Sequence, residues 1–134
     1  MSRTISRMGI VLAGVAVSAI AAGSAFGADA KGEITIAAQH ASLAAQAGDL
    51  GGVRMHLHHT LNCLEGPGGA DFSKKDMNPC QNAGSGAIPD TTNPTTAAAL
   101  QSAVSQAVSG LSATDLKTAQ GDASATAATL QAIK

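Results

Sequence analysis

Apolar residues recur every three or four positions in four stretches of the chain, the spacing that places them on one face of an α-helix. The stripe of the first stretch is Ile36, His40, Leu43 and Ala47, and that of the second is Leu50, Val53, Leu57, Leu61 and Leu64. Glycines at positions 48, 51 and 52 interrupt the pattern between the two. We therefore predict helices over 33–47 and 50–64, joined by a short turn.

The second and third stretches are separated by a long segment without helical periodicity. Positions 65–93 hold three of the four prolines and two clusters of glycine, which predicts an irregular loop. Asn93-Pro94 is a helix-start signal, because asparagine caps the first backbone N–H groups and proline is favoured at the first helical position. The third helix is predicted over 94–110, ending near Gly110.

The fourth stretch predicts a helix over 113–133. Ser112 to Asp115 resembles a capping box with aspartate in place of glutamate. Gly121 is expected to kink or split this helix, because glycine lowers helix propensity.

Four amphipathic helices in two pairs, each pair joined by a short turn, predict an all-α fold. The expected architecture is a four-helix up-down bundle made of two helical hairpins. The loop over 65–93 connects the hairpins, and its apolar residues Phe72 and Ile88 are the predicted anchors that insert into the bundle.

The first 27 residues have the layout of a cleaved secretory signal. Arg3 and Arg7 precede an uncharged run over 8–23, and small residues follow it. The run is rich in alanine and glycine and is shorter than the roughly 20 apolar residues that span a bilayer. We expect cleavage, no stable membrane insertion afterwards, and a single domain over 28–134 in the periplasm or outside a bacterial cell.

Composition narrows the classes of function. Of the 134 residues 45% are hydrophobic, yet the only aromatic ones are Phe26 and Phe72. Without the first 27 residues, six basic and nine acidic residues remain, a net charge of −3. A nucleic-acid partner is therefore not expected, because both a basic patch and stacking side chains are missing. The 19 large apolar residues among the remaining 107 predict a thin core that a covalent link would help to hold.

The chain has two cysteines, Cys63 and Cys80. In an exported protein an even cysteine count predicts a disulfide, here between the end of the second helix and the loop. Such a bond contributes roughly 3 kcal/mol in the chain-entropy model. Free thiols acting as soft metal ligands are the alternative.

All four histidines lie between His40 and His59. On the second helix His56, His59 and Cys63 share one face, spread over about 60°, whereas His58 points to the other side. Two imidazoles on adjacent turns have usable metal-ligand spacing.

A disulfide would remove Cys63 from the ligand set, so further donors must come from elsewhere. His40 is the best candidate, because an unpaired imidazole on the apolar stripe of the first helix would be costly. Met55, Met77, an aspartate of the loop and water are additional candidates. The sequence therefore predicts a site for a transition metal, copper or zinc, formed by His56 and His59 with His40.

Two other interpretations remain open. In one, His40 hydrogen-bonds a side chain of the second helix while His56 and His59 hold the loop through its backbone carbonyls, and the protein is a disulfide-stapled structural or protein-interaction module without metal. In the other, His40 and a histidine of the second helix ligate a b-type haem, although few bulky residues are present to enclose it. Neither a Ser-His-Asp arrangement nor a catalytic carboxylate pair stands out, so we do not expect an enzyme.

The segments HLHHTLNCLEGPGG at 56–69, NPC at 78–80 and GSGAIPD at 84–90 resemble a signature of small exported bacterial proteins of unassigned function. This resemblance implies secretion, a helical fold and a shared loop. A looser resemblance connects the chain with small periplasmic metal-binding helical bundles, whose histidines are spaced along alanine-rich helices. The histidines here are confined to the first two helices, which argues against high-capacity metal storage.

Overall fold

The computed structural model describes residues 29–134, which fold into five helices without a strand in that range. The helices are α1 (Ala30–Gln46), α2 (Leu50–Glu65), α3 (Ala87–Asp90), α4 (Pro94–Ser112) and α5 (Leu116–Gln131). The predicted secretory signal lies outside the described residues. None of the described helices is both long and apolar enough to cross a membrane.

The all-α class is confirmed, but the four-helix up-down bundle is not, because the number and arrangement of the helices differ from that prediction. The short helix α3 lies inside the segment that the sequence predicted to be irregular. It is a single turn of four residues, too short to show helical periodicity.

Capping side chains account for the helix boundaries that the sequence misplaced. Asp29 accepts a hydrogen bond from the backbone N–H of Gly32, so α1 begins three residues before the predicted start. Asp115 does the same for Thr118, so α5 begins at Leu116 rather than at 113. Helix α5 then runs through Gly121 without interruption.

Helix α1 packs against α2 and α5. Helix α4 packs on α5 and α2. The core is formed by a few leucines and many alanines; its largest fully buried apolar side chains are Val53, Leu57, Leu61, Leu64, Leu100 and Leu130.

The buried face of α1 is not the one that the apolar stripe predicted. Leu43, a member of that stripe, is 47% exposed. The apolar residues that α1 buries are instead Ile34, Ala37, Ala38, Ala41 and Ala44. Small side chains let α1 approach two neighbouring helices closely. A stripe defined by bulky apolar residues does not reveal this alanine face.

The segment between α2 and α4 is tied to the helices at several points. The predicted disulfide is confirmed: Cys63 of α2 is bonded to Cys80, and both residues are buried. Ile88 packs against the core, whereas Phe72 is half-buried. The segment is therefore held against the end of α2, close to the face that bears the histidines.

Asn62 of α2 holds the part of this segment nearest the histidines. Its amide nitrogen donates to the backbone carbonyls of Ser73 and Met77, both at 3.0 Å. Its amide oxygen accepts from the backbone N–H of Ser73 at 2.8 Å. Asn62 is fully buried, so its polar atoms must find partners in the protein, and the loop backbone provides them.

Candidate metal site

Helices α1 and α2 form a hairpin that brings three histidines together. His40 lies on α1, and His56 and His59 lie one turn apart on α2. Thr60 joins the two helices next to these residues, since its hydroxyl contacts the carbonyl oxygens of both Ala37 and His56. This close approach places the ring of His40 opposite those of the other two.

The three rings converge on a small volume. Their centroids are 4.9 Å apart for His40 and His59, 5.5 Å for His40 and His56, and 5.7 Å for His56 and His59. One nitrogen from each ring can be chosen so that all three lie within 4.8 Å of one another. Nitrogen ligands at about 2.0–2.1 Å from a tetrahedral metal ion lie about 3.4 Å apart, so a small inward movement of the rings would let all three histidines ligate one ion.

Hydrogen bonding satisfies only part of this cluster. The Nδ1 atoms of His40 and His56 are 3.3 Å apart, so one can donate to the other. His59 is 6% exposed, and its Nδ1 atom is buried without a hydrogen-bond partner. A buried polar atom without a partner is costly, which indicates that the cluster is incomplete as a purely hydrogen-bonded unit.

The surroundings favour the neutral form of these side chains. Burial lowers the pKa of His40, and the neighbouring His59 and His56 lower it further. Burial and the neighbouring His56 also lower the pKa of His59, although Asp76 of the loop partly opposes them. Only a neutral imidazole has a free lone pair for a metal, so these shifts favour metal ligation.

Cys63, a further candidate ligand predicted from the sequence, is in the disulfide and is not a thiolate. The candidate donors Met55 and Met77 are 43% and 65% exposed. His58 is half-buried and does not join the cluster.

The alternative without metal gives the histidines a purely structural role, and only its first part agrees with the structure. His40 does contact a side chain of α2, namely His56. The hydrogen bonds that attach the loop to α2 come from Asn62, however, and the disulfide adds a covalent link. The three histidines are therefore not needed to explain how the loop is held.

Two polar residues that tie α1 and α2 to the segment between α2 and α4 were not singled out from the sequence pattern. They are Asn62, which holds the loop backbone, and Glu33, which accepts from the backbone N–H of Gly86. Each is fully buried. A polar residue one helical turn from a buried apolar residue is the signal that could have found them, because such a position faces the interior.

Neither a protein-family model, nor a curated protein, nor a solved structure matches this chain. The resemblance to exported bacterial proteins therefore stays a prediction. The functional assignment rests on the geometry of His40, His56 and His59 alone.

Proposed function

We propose that the protein is a small exported bacterial metal-binding protein that holds one transition-metal ion, copper or zinc, through His40, His56 and His59. The observation that carries the proposal is the convergence of three imidazole nitrogens from two helices within 4.8 Å. Nitrogen ligands suit both Zn²⁺ and Cu²⁺. The unpartnered Nδ1 of buried His59 adds that hydrogen bonds alone do not satisfy this cluster.

A bare ion fits the cluster better than haem does. Axial ligation of haem iron takes two side chains at most, one on each face of the porphyrin. Three rings that lie close to one another do not match this arrangement, because the third imidazole would not ligate the iron. We therefore place the metal directly on the histidines.

Export is the second part of the proposal. The predicted cleavage site lies near position 27, and α1, capped by Asp29, begins at Ala30. Cleavage there would leave every described helix intact. The buried Cys63–Cys80 disulfide is consistent with an oxidising compartment. The intact mass of the protein recovered from the producing cells tests this, because a full-length chain would contradict cleavage.

Native mass spectrometry of the tag-free protein with Zn²⁺, Cu²⁺ or Ni²⁺ tests metal binding. We expect one ion per chain for zinc or copper, and loss of that adduct in His40→Ala and His56→Ala. His58→Ala is the matched control, because His58 lies on the same helix outside the cluster. A wild-type protein without a stoichiometric adduct, or an adduct that the His58 change removes equally, would leave the disulfide-stapled interaction module as the better assignment.

A further inference from the structure

The histidine cluster offers three ligands. In the part of the chain that the structure describes, no fourth histidine, cysteine, aspartate or glutamate joins His40, His56 and His59. Zinc sites in proteins are almost always four-coordinate, and a zinc site with three protein ligands keeps a position for an external one. The identity of that fourth ligand is therefore a property of the site that can be inferred.

The side chains nearest to the cluster are already engaged elsewhere. Both polar atoms of the Asn62 amide bond the loop backbone. The carboxylate of Asp76 accepts a hydrogen bond from the hydroxyl of Ser73. Cys63 is bonded to Cys80. Cys63 would have to break its disulfide before it could ligate a metal. Asp76 is the competing occupant, because only one of its two carboxylate oxygens is engaged by Ser73.

The cluster is only partly buried. His59 is buried, but His40 and His56 are half-buried. Solvent therefore reaches part of the cluster, and a small external ligand can approach it from there without unfolding of the hairpin.

Charge selects the kind of external ligand. Three neutral imidazoles leave the charge of a divalent ion uncompensated, because none of them is an anion. Asp76 is an acidic side chain that acts electrostatically on His59. A partly desolvated ion with two positive charges favours an anion over a neutral ligand in its remaining position.

We infer that the metal centre, if it is the one proposed above, keeps one open coordination position that binds a small monodentate anion. The cluster is then more than a store for the ion: it is a metal-dependent anion site at the surface between α1 and α2. A carboxylate of a partner protein would be recognised by the same chemistry.

Cobalt substitution tests this inference, because Co²⁺ reports its ligands in the visible spectrum. Azide is added to the tag-free protein loaded with Co²⁺, and we expect a saturable change in the cobalt bands. Failure to load Co²⁺, Zn²⁺ or Cu²⁺ at all would overturn the proposed function and this inference together. A loaded protein whose spectrum does not respond to azide would overturn the open position alone.

Asp76→Asn identifies the competing occupant of the fourth position. If the position is open, the variant and the wild type have the same cobalt spectrum and the same azide response. If the wild type ignores azide and only the variant responds, Asp76 is the fourth ligand and the inference is wrong. Asp71→Asn is the matched control, since Asp71 is an exposed carboxylate of the same loop.

Discussion

The carboxyl group of Glu33 is the most strongly perturbed acid in the described part of the chain. It is fully buried, its Oε1 accepts from the backbone N–H of Gly86 at 2.9 Å, and its Oε2 has no hydrogen-bond partner. The pKa of Glu33 is raised from 4.5 to about 7, chiefly by burial and further by the nearby Asp90 and Asp29, while the hydrogen bond from Gly86 partly opposes the shift. The neutral form of Glu33 is therefore the one that the fold accommodates.

We expect this group to make stability fall as the pH rises. Because the folded-state pKa is raised, the contribution of neutral Glu33 is fully present below pH 4.5 and is lost as the pH rises through about 7. In Glu33→Gln the side chain stays neutral at every pH, so the variant should lose less stability than the wild type between pH 5 and pH 8. Urea unfolding midpoints of both proteins at the two pH values check this. An equal change in the two midpoints would contradict the assignment.

The histidines shift in the opposite direction and concern metal release. The pKa values of His40 and His59 are lowered, chiefly by burial, so protons compete weakly with a metal. With three imidazoles of ordinary pKa, the fraction in which all three are neutral would fall from about three quarters at pH 7.5 to about one eighth at pH 6.5, which is about a sixfold change. We predict a loss of zinc affinity between these pH values that is smaller than this about sixfold factor. Competition with a chromophoric chelator measures it, and a loss of about sixfold or more would refute the prediction.

At the scale of elements, the two ends of the loop meet through glycines. Gly66 follows α2 with φ of 65° and ψ of −176°, a backbone conformation that is essentially restricted to glycine. A Cβ atom at Gly66 would overlap the backbone carbonyl of Ser85, and one at Gly86 would overlap the backbone at Glu65. The backbone at positions 65–66 and the backbone at positions 85–86 pass so close to each other that both Gly66 and Gly86 are required to be glycine.

We expect Gly66→Ala to destabilise the protein. The disfavoured backbone conformation alone costs about 1–3 kcal/mol, and the overlap with the backbone of Ser85 adds to this cost. Gly68→Ala is the matched control, because a Cβ at Gly68 meets nothing within 4 Å. The free energy of unfolding in urea checks the pair. Equal values for the two variants would show that the crossing tolerates a side chain.

The accuracy of sequence reasoning differed between elements for physical reasons. Helix α2 was placed to within one residue, since its leucines repeat at helical spacing and are buried. The prediction chose the wrong buried face for α1, because the face that is buried consists mostly of alanine. A search for large apolar residues at helical spacing does not reveal such a face. The turn of α3 depends on contacts with three other helices, and local sequence does not report those.

The prediction of the candidate site was limited in the same way. Spacing along α2 placed His56 and His59 on one face, and the cost of an unpaired imidazole indicated His40. Their convergence depends on how closely α1 and α2 pack, which follows from Thr60 and the alanines of α1. The role of Asn62 became visible only with the path of the loop, because its partners are backbone atoms at positions 73–77.

For the whole molecule, the small core makes the disulfide an important part of stability. The cysteines are 17 positions apart. The double variant Cys63→Ala/Cys80→Ala should lose about 3 kcal/mol of unfolding free energy in the chain-entropy model. Its capacity for zinc should persist under native conditions, because the histidines lie on the α1–α2 hairpin and the cysteines are not ligands. Urea unfolding and native mass spectrometry check the two parts, and loss of zinc from the still folded variant would contradict the second.

The central claim is that His40, His56 and His59 together hold one metal ion, and X-ray absorption at the zinc edge of the zinc-loaded protein tests it most directly. The account predicts three imidazole ligands with nitrogen at about 2.0–2.1 Å, one further light-atom ligand, and no sulfur. A spectrum without imidazole scattering, or with a sulfur ligand at about 2.3 Å, would contradict it.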